Sequence, residues 1–327
     1  ALLRKFCEEQ SIKYEICGKL VIASKKSQID SLNELYVRGK KNGIKGLDLI
    51  EKSQISKYEP YAIGEGALFC SETGIIDYFS ISKRLKELIQ KNCTIFTSCE
   101  VVDIDNNHDE IILSSDTEDV RSKFLINCAG LFSDKIASLS GLNYQSKIIP
   151  FRGEYYMVKK QARYLVKNLI YPVPDPRYPF LGVHFTRTLN GKIEAGPNAV
   201  LAFAKEGYKK TDINFKEMLD YLSFPGFWKM AAKYYRTALG EYYRSFSKKF
   251  FLKSLQELVP NIKYEDLEKG PSGVRAQALG YDGALIDDFV IYKKKNMIHV
   301  INAPSPAATS SFSIGSRITQ LYIEIIK

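Results

Sequence analysis

Arginine, histidine and a run of small residues are where this chain offers chemistry. Arg152, Arg187 and Arg275 stand in PFRGEYY, VHFTR and SGVRAQ, among residues that are otherwise mostly apolar or small. A guanidinium buried there without an anion would be costly, so each needs a partner. One solution is a structural ion pair with an acid such as Glu154, Asp287 or Asp288. The other is a bound carboxylate, which arginine's planar fork holds better than a lysine does. His184 lies in the strand-like run LGVHFTR. Imidazole titrates near neutrality and suits proton abstraction, but a core histidine bonded to a carbonyl is the competing reading. His299, in MIHVINA, reads as structural, and His108, in DNNHDE, as a turn residue. Arg177, in PDPRYP, reads as a surface residue.

The second feature is VINAPSPAATSSFSIG, Val300 to Gly315. An apolar strand from Met297 to Ile301 runs into a loop of small residues, and a helix from about Ala307 to Ile326 starts behind it. Small side chains let a bulky planar ligand lie against the backbone. The helix start favours partial negative charge there. A reduced flavin carries negative charge on its pyrimidine edge, so this loop is a candidate flavin clamp. A tight strand-to-helix turn gives the same spacing.

Composition narrows the classes. The 327 residues suffice for one large core or two domains. No apolar run reaches the roughly 20 residues of a membrane-spanning helix. The opening, ALLRKFCEEQ, is charged and amphipathic rather than a signal peptide, and it reads as helix interior, so the natural N-terminus is expected upstream. The six cysteines form no CxxC pair; buried thiols in a reducing compartment are expected, and Cys70 and Cys128 fall in apolar runs. Three scattered histidines give no metal-ligand spacing. The net charge of +10 is spread along the chain, with denser runs at Lys209–Lys210, Lys248–Lys249 and Lys293–Lys295. None has the pattern of a nucleic-acid motif, so no nucleic acid is expected. A solvated surface is the first reading and adhesion to acidic lipid the second.

Helical spacing marks Ser27 to Arg38, Ser80 to Asn92, Ser133 to Leu139, and Phe215 to Leu258 with a break at Pro225-Gly226. Ser133 and Asp134 read as cap and first-turn acid. Short β-rich runs are Thr94–Phe96, Val101–Ile104, Ile111–Leu113 and Phe124–Asn127. Strands separated by Pro and Gly turns occupy Lys147 to Pro197. Two interleaved parts follow. Residues 78–145 and 271–327 form an α/β part; residues 1–77 and 146–270 form a mixed, largely antiparallel sheet with helices. Such crossings place a cleft between the parts.

FLINCAGLFSDKIASLSG (Phe124–Gly141) is a strand, an Ala-Gly turn and a helix. It resembles the later dinucleotide-contact segment of the flavoproteins typified by D-amino-acid oxidase and glycerol-3-phosphate dehydrogenase. The N-terminal GxGxxG element of that superfamily is absent, so a βαβ unit is expected upstream. CGKLVIA, SGLNYQSKIIPFRGEYY, NLIYPVPDPRYPFLGVHFTR, GPNAVLAF, PSGVRAQAL, DGALIDDF and NAPSPAATSSFSIG together resemble the L-2-hydroxyglutarate oxidase/dehydrogenase family, from Phe6 onward. The resemblance implies an FAD-binding domain interleaved with a mixed-sheet substrate domain, N-terminally truncated. It implies FAD-dependent oxidation of L-2-hydroxyglutarate to 2-oxoglutarate, with hydride passing from C2 to flavin N5 and electrons then to oxygen or a membrane quinone. A cytoplasmic location, with possible peripheral contact at the inner membrane, goes with it. Another superfamily chemistry, on an amino acid or glycerol 3-phosphate, and a fragment unable to hold FAD are the alternatives.

For a dicarboxylate substrate, Arg152, Arg187 and Arg275 are the candidate cations and His184 the candidate base, unless the base lies upstream. Tyr171 is the favoured aromatic over the substrate, ahead of Tyr155 and Tyr156, whose usual role is packing. Asn302, like Asn198, ends a strand and can orient substrate or flavin or cap a turn. The resemblance puts the backbone of Val101 at adenine, and Cys128, Ala129 and Gly130 at the cofactor. Pro304, Ser305, Pro306, Ala307, Ala308, Thr309 and Ser310 would meet the flavin ring.

Overall fold

A computed structural model describes residues 1–106, 110–174 and 181–327. His108 and Arg177 lie outside the described residues. In chain order the elements begin with α1 (Leu2–Glu9), β1 (Tyr14–Ile16), β2 (Lys19–Ala23), α2 (Ile29–Lys41), β3 (Leu47–Glu51), α3 (Ile55–Tyr58), β4 (Gly66–Cys70), β5 (Gly74–Ile76) and α4 (Tyr78–Ile89). They continue with β6 (Val101–Asp105), β7 (Ile111–Ser115), β8 (Asp119–Ser122), β9 (Leu125–Asn127), α5 (Ser133–Leu139), β10 (Ser146–Val158), β11 (Leu169–Pro172), β12 (His184–Arg187), β13 (Ile193–Gly196) and β14 (Val200–Leu201). The last are α6 (Phe215–Leu222), α7 (Pro225–Phe246), α8 (Lys248–Gln256), β15 (Leu267–Gly280), β16 (Val290–Lys294), β17 (Met297–Asn302) and α9 (Ser311–Ile326).

The large sheet has the order β14-β10-β13-β12-β11-β2-β4-β3, with β15 paired along β10. Only β11 and β2 run parallel among its described pairs. Its alternation is plain in the burial. Leu20, Ile22, Ile170, Phe185, Ile193 and Ala195 enter one core with Phe251, Leu252 and Leu255 of α8. Side chains one residue out of phase therefore leave on the opposite face. Those are Lys19, Tyr171, His184, Thr186 and Glu194.

A second sheet, β16-β17-β9, pairs β17 with β9 in parallel, so Asn127 and Asn302 end at the same side. β6, β7 and β8 form an antiparallel flap. Ala137 of α5, Ile148 of β10, Ala278 of β15 and Ile301 of β17 share one core and join the two sheets. β15 is one continuous strand that crosses residue 271, where the second part was expected to give way to the first.

Several expectations are adjusted. The long helical stretch after Phe215 is three helices, with Pro225 opening α7, the first-turn position proline tolerates. Thr94–Phe96 forms no strand; it links α4 to β6 and finds no partner. Ser133 is not the helix cap. Its hydroxyl donates to the Ile301 carbonyl at 2.8 Å, tying α5 to β17. Asp134 is the first-turn acid expected of α5, and it is buried in a pair with Lys205 and accepts from the Ile148 amide at 3.1 Å. Only Cys7 of the six free thiols is buried; Cys70 is half-buried, and Cys128 is exposed because its strand has already ended.

Candidate active site

The polar face of the large sheet holds one cluster. Tyr171 and His184, on adjacent strands, stack with ring centroids 4.0 Å apart and planes 22° from parallel. The Tyr171 hydroxyl is 3.4 Å from Thr186 Oγ1. Lys19 Nζ stands 5.2 Å from the centroid of the Tyr171 ring. Arg275 stands beside the Tyr155 phenol and offsets part of the burial that raises it, with Glu194 and Tyr171 also near that phenol. One histidine, two tyrosines, two cations and a carboxyl thus converge on a surface whose reverse side is solid core.

His184 is almost fully buried, and its Nδ1 lies 2.9 Å from the Gly182 carbonyl oxygen. A carbonyl only accepts, so we assign the ring proton to Nδ1, which leaves the Nε2 lone pair free. Burial pulls the imidazole down to about 4; the Gly182 carbonyl opposes this, and the charges of Arg275 and Lys19 add to it. The ring is therefore neutral at ordinary pH and able to take a proton. Burial also lowers the Lys19 ammonium and raises the Glu194 carboxyl and the phenols of Tyr155 and Tyr171.

The three arginines separate. Arg275 stands in the cluster. Arg152 faces the helical side, donating to Glu154 Oε1 at 3.1 Å and to the carbonyls of Gly207 and Lys209. Glu154 is held in turn by Asn198 and by Ser245 of α7. Arg187 forks onto Glu15 of β1 and reaches Asn168. Each pair lowers the need of that guanidinium for an outside carboxylate. Asn302 is spent on the chain: its amide donates to the carbonyls of Ile286 and Asp288 at 3.1 and 2.8 Å and accepts from Ala278. Tyr156 packs on Phe251. His299 is enclosed between Asn127 and Ser140.

The residues expected at a dinucleotide gather at the ends of β9 and β17. Cys128, Ala129 and Gly130 are exposed; Gly130 has φ +56°, and a Cβ there would meet nothing within 4 Å. After β17, residues 303–310 are half to fully exposed, and no side chain caps the first amides of α9. Two parallel strands ending in open turns before helix starts fit an anionic, planar cofactor laid across them. Val101 opens β6, whose flap stands on Ile136 and Leu139 of α5 and on Leu125 of β9.

Sequence reading passed over Lys19 and Glu194. Lys19 looks like the charged start of a buried strand, KLVIA. Its signal was the phase: Leu20 and Ile22 point into the core, so residue 19 cannot.

The FAD dependent oxidoreductase family model matches residues 1–321, and the chain belongs to that family. It is 49% identical over 320 residues to the L-2-hydroxyglutarate dehydrogenase of Indibacter alkaliphilus, covering 97% of this chain and 80% of that protein. It is 40% identical to the mitochondrial L-2-hydroxyglutarate dehydrogenase of Homo sapiens, covering 97% and 73%. The fold matches the FAD-bound L-alpha-glycerophosphate oxidase of Mycoplasma pneumoniae with a TM-score of 0.74 at 20% identity, over 95% of this chain and 74% of that one.

Proposed function

We propose that this chain catalyses the FAD-dependent oxidation of L-2-hydroxyglutarate to 2-oxoglutarate. The observation that carries the reading is the buried, neutral His184 standing with Arg275 on one sheet face, in a chain of this family. Oxidising a secondary alcohol removes a proton from oxygen and a hydride from carbon. FAD, when bound, supplies the hydride acceptor. His184 Nε2 takes the hydroxyl proton, while Nδ1–H stays on the Gly182 carbonyl and fixes the ring. Tyr171 supports the imidazole from its face. Arg275, steadied by Tyr155, takes a carboxylate with its planar fork. Gly130, its neighbours Cys128 and Ala129, and residues 304–310 are the chain's surfaces for the cofactor, with Val101 on the adenine side. Residues 78–145 and 271–327 serve the cofactor and 1–77 and 146–270 the substrate, except that Arg275, on the strand β15 that runs through the boundary, reaches the substrate side.

Electrons leave to oxygen or to a quinone. We favour peripheral contact with an anionic membrane, within the cytoplasmic compartment. Among the described residues no helix is long and apolar enough to cross a membrane. The support for contact is α7. Trp228, Tyr235, Leu239, Tyr243 and Phe246 lie along one stripe of that helix, each more than half exposed. Lys229, Lys233 and Arg236 flank the stripe, also exposed. Aromatics with basic neighbours suit a lipid headgroup layer.

A panel of L- and D-2-hydroxyglutarate, small amino acids and glycerol 3-phosphate tests the assignment with the FAD-loaded protein. We expect the highest kcat/KM for L-2-hydroxyglutarate. Preference for an amine or for glycerol 3-phosphate would overturn it.

A further inference from the structure

We propose that Lys19 is the specificity-determining cation of the site and holds the substrate carboxylate remote from the reacting carbon; this rests on the dicarboxylate reading above. A five-carbon dianion presents two negative ends, and one arginine satisfies only one of them. Lys19 is on the same sheet face as His184 and Arg275, because Leu20 and Ile22 take the core phase of β2. Its ammonium stands over the Tyr171 ring, on the other side of that ring's strand from β12. Arg275 and Lys19 both push the His184 imidazole toward its neutral form, so both positive charges stand near the proton acceptor.

The topology orients the pair. Arg275 is on β15, which shares a core with β17 and α5, next to the turns suited to the cofactor. Lys19 is on β2, beyond β10, β13, β12 and β11 from β15. The carboxylate beside the reacting carbon must be held in one orientation, which a planar fork does; the remote carboxylate, on a flexible chain, needs a point charge with reach. The Lys19 ammonium lies over the Tyr171 ring, and across the β2–β4 pair Lys19 stands opposite Cys70; neither neutralises it. Its partial burial without a carboxylate ion pair among the described residues is what a site for an arriving anion requires.

The test compares Lys19→Met and Lys19→Arg with the wild type, all FAD-loaded, on L-2-hydroxyglutarate and on L-2-hydroxypentanoate, which lacks the second carboxylate. For Lys19→Met we expect KM for L-2-hydroxyglutarate to rise about 10- to 100-fold, the scale of one charge-assisted hydrogen bond, with kcat little changed. KM for the monoacid should stay within about threefold of wild type, a shift under roughly 1 kcal/mol. Lys19→Arg should restore most of the discrimination. Equal losses on both acids, or none on either, would overturn the assignment while leaving the proposed reaction intact. A wild type that does not oxidise L-2-hydroxyglutarate would overturn both. Flavin content and melting temperature of each variant distinguish a misfolded protein from one that has lost recognition.

Discussion

His184 draws its chemistry from where its neighbours put it. A solvent-exposed imidazole would be half protonated near its ordinary value; this one is stripped of water, so its neutral form persists down to about pH 4. The acid limb of kcat/KM that belongs to His184 should therefore lie near pH 4 rather than near 6.5. His184→Gln should remove that limb and slow flavin reduction by about 100- to 10,000-fold, the usual size of a general-base contribution. An unchanged reduction rate would assign the proton to another group. The same burial couples to stability. The folded-state value is depressed, so the contribution is present above the unfolded value of about 6.5 and is lost as pH falls toward 4. It amounts to something on the order of 3 kcal/mol. Arg152 is the counter-case at this scale. Its type and its apolar surroundings matched a substrate cation as well as Arg275 did, and only the fold reveals Glu154 and two carbonyls waiting for it. Burial of a charge is legible in a sequence; the identity of its partner is not.

At the scale of elements, the strand runs between Lys147 and Pro197 were legible, and they form β10 to β13. The face each residue takes was less so: LVIA has no polar residue, and in LIYP and HFTR the two buried positions are consecutive. The strand-to-helix units around Ala129 and Pro304 were legible as well, because small turn residues between an apolar run and a helical run leave few alternatives. The pairing order was not legible. Nothing local in KLVIA says that β2 will lie parallel to β11 and bring Lys19 over Tyr171. α7 shows the reverse problem. Its helical spacing was legible but its faces were not: Trp228, Tyr235, Leu239 and Tyr243 face outward, since Phe227 and Met230 already fill the inner side. A helix of 22 residues, roughly 33 Å long, can lay that stripe along a flat surface. The protein should co-sediment with vesicles containing phosphatidylglycerol and be released as salt rises. Trp228→Glu with Leu239→Glu should abolish this without altering turnover of the soluble substrate. Binding that ignores the double variant would move the contact elsewhere, and absence of binding to anionic vesicles would remove the membrane from the proposal.

For the whole molecule, two sheets meet through the core of Ala137, Ile148, Ala278 and Ile301. One sheet ends in open turns that fit a cofactor, and the other presents a face with an imidazole and two cations. The reaction proposed depends on this division: the chain binds, orients and deprotonates, and the cofactor accepts the hydride. The most direct test is to mix the FAD-loaded protein anaerobically with L-2-hydroxyglutarate and follow the visible flavin absorbance. Rapid bleaching by the L acid, with the D acid far slower, is the expected result. A flavin that stays oxidised with the L acid, or bleaches equally with both, would contradict it.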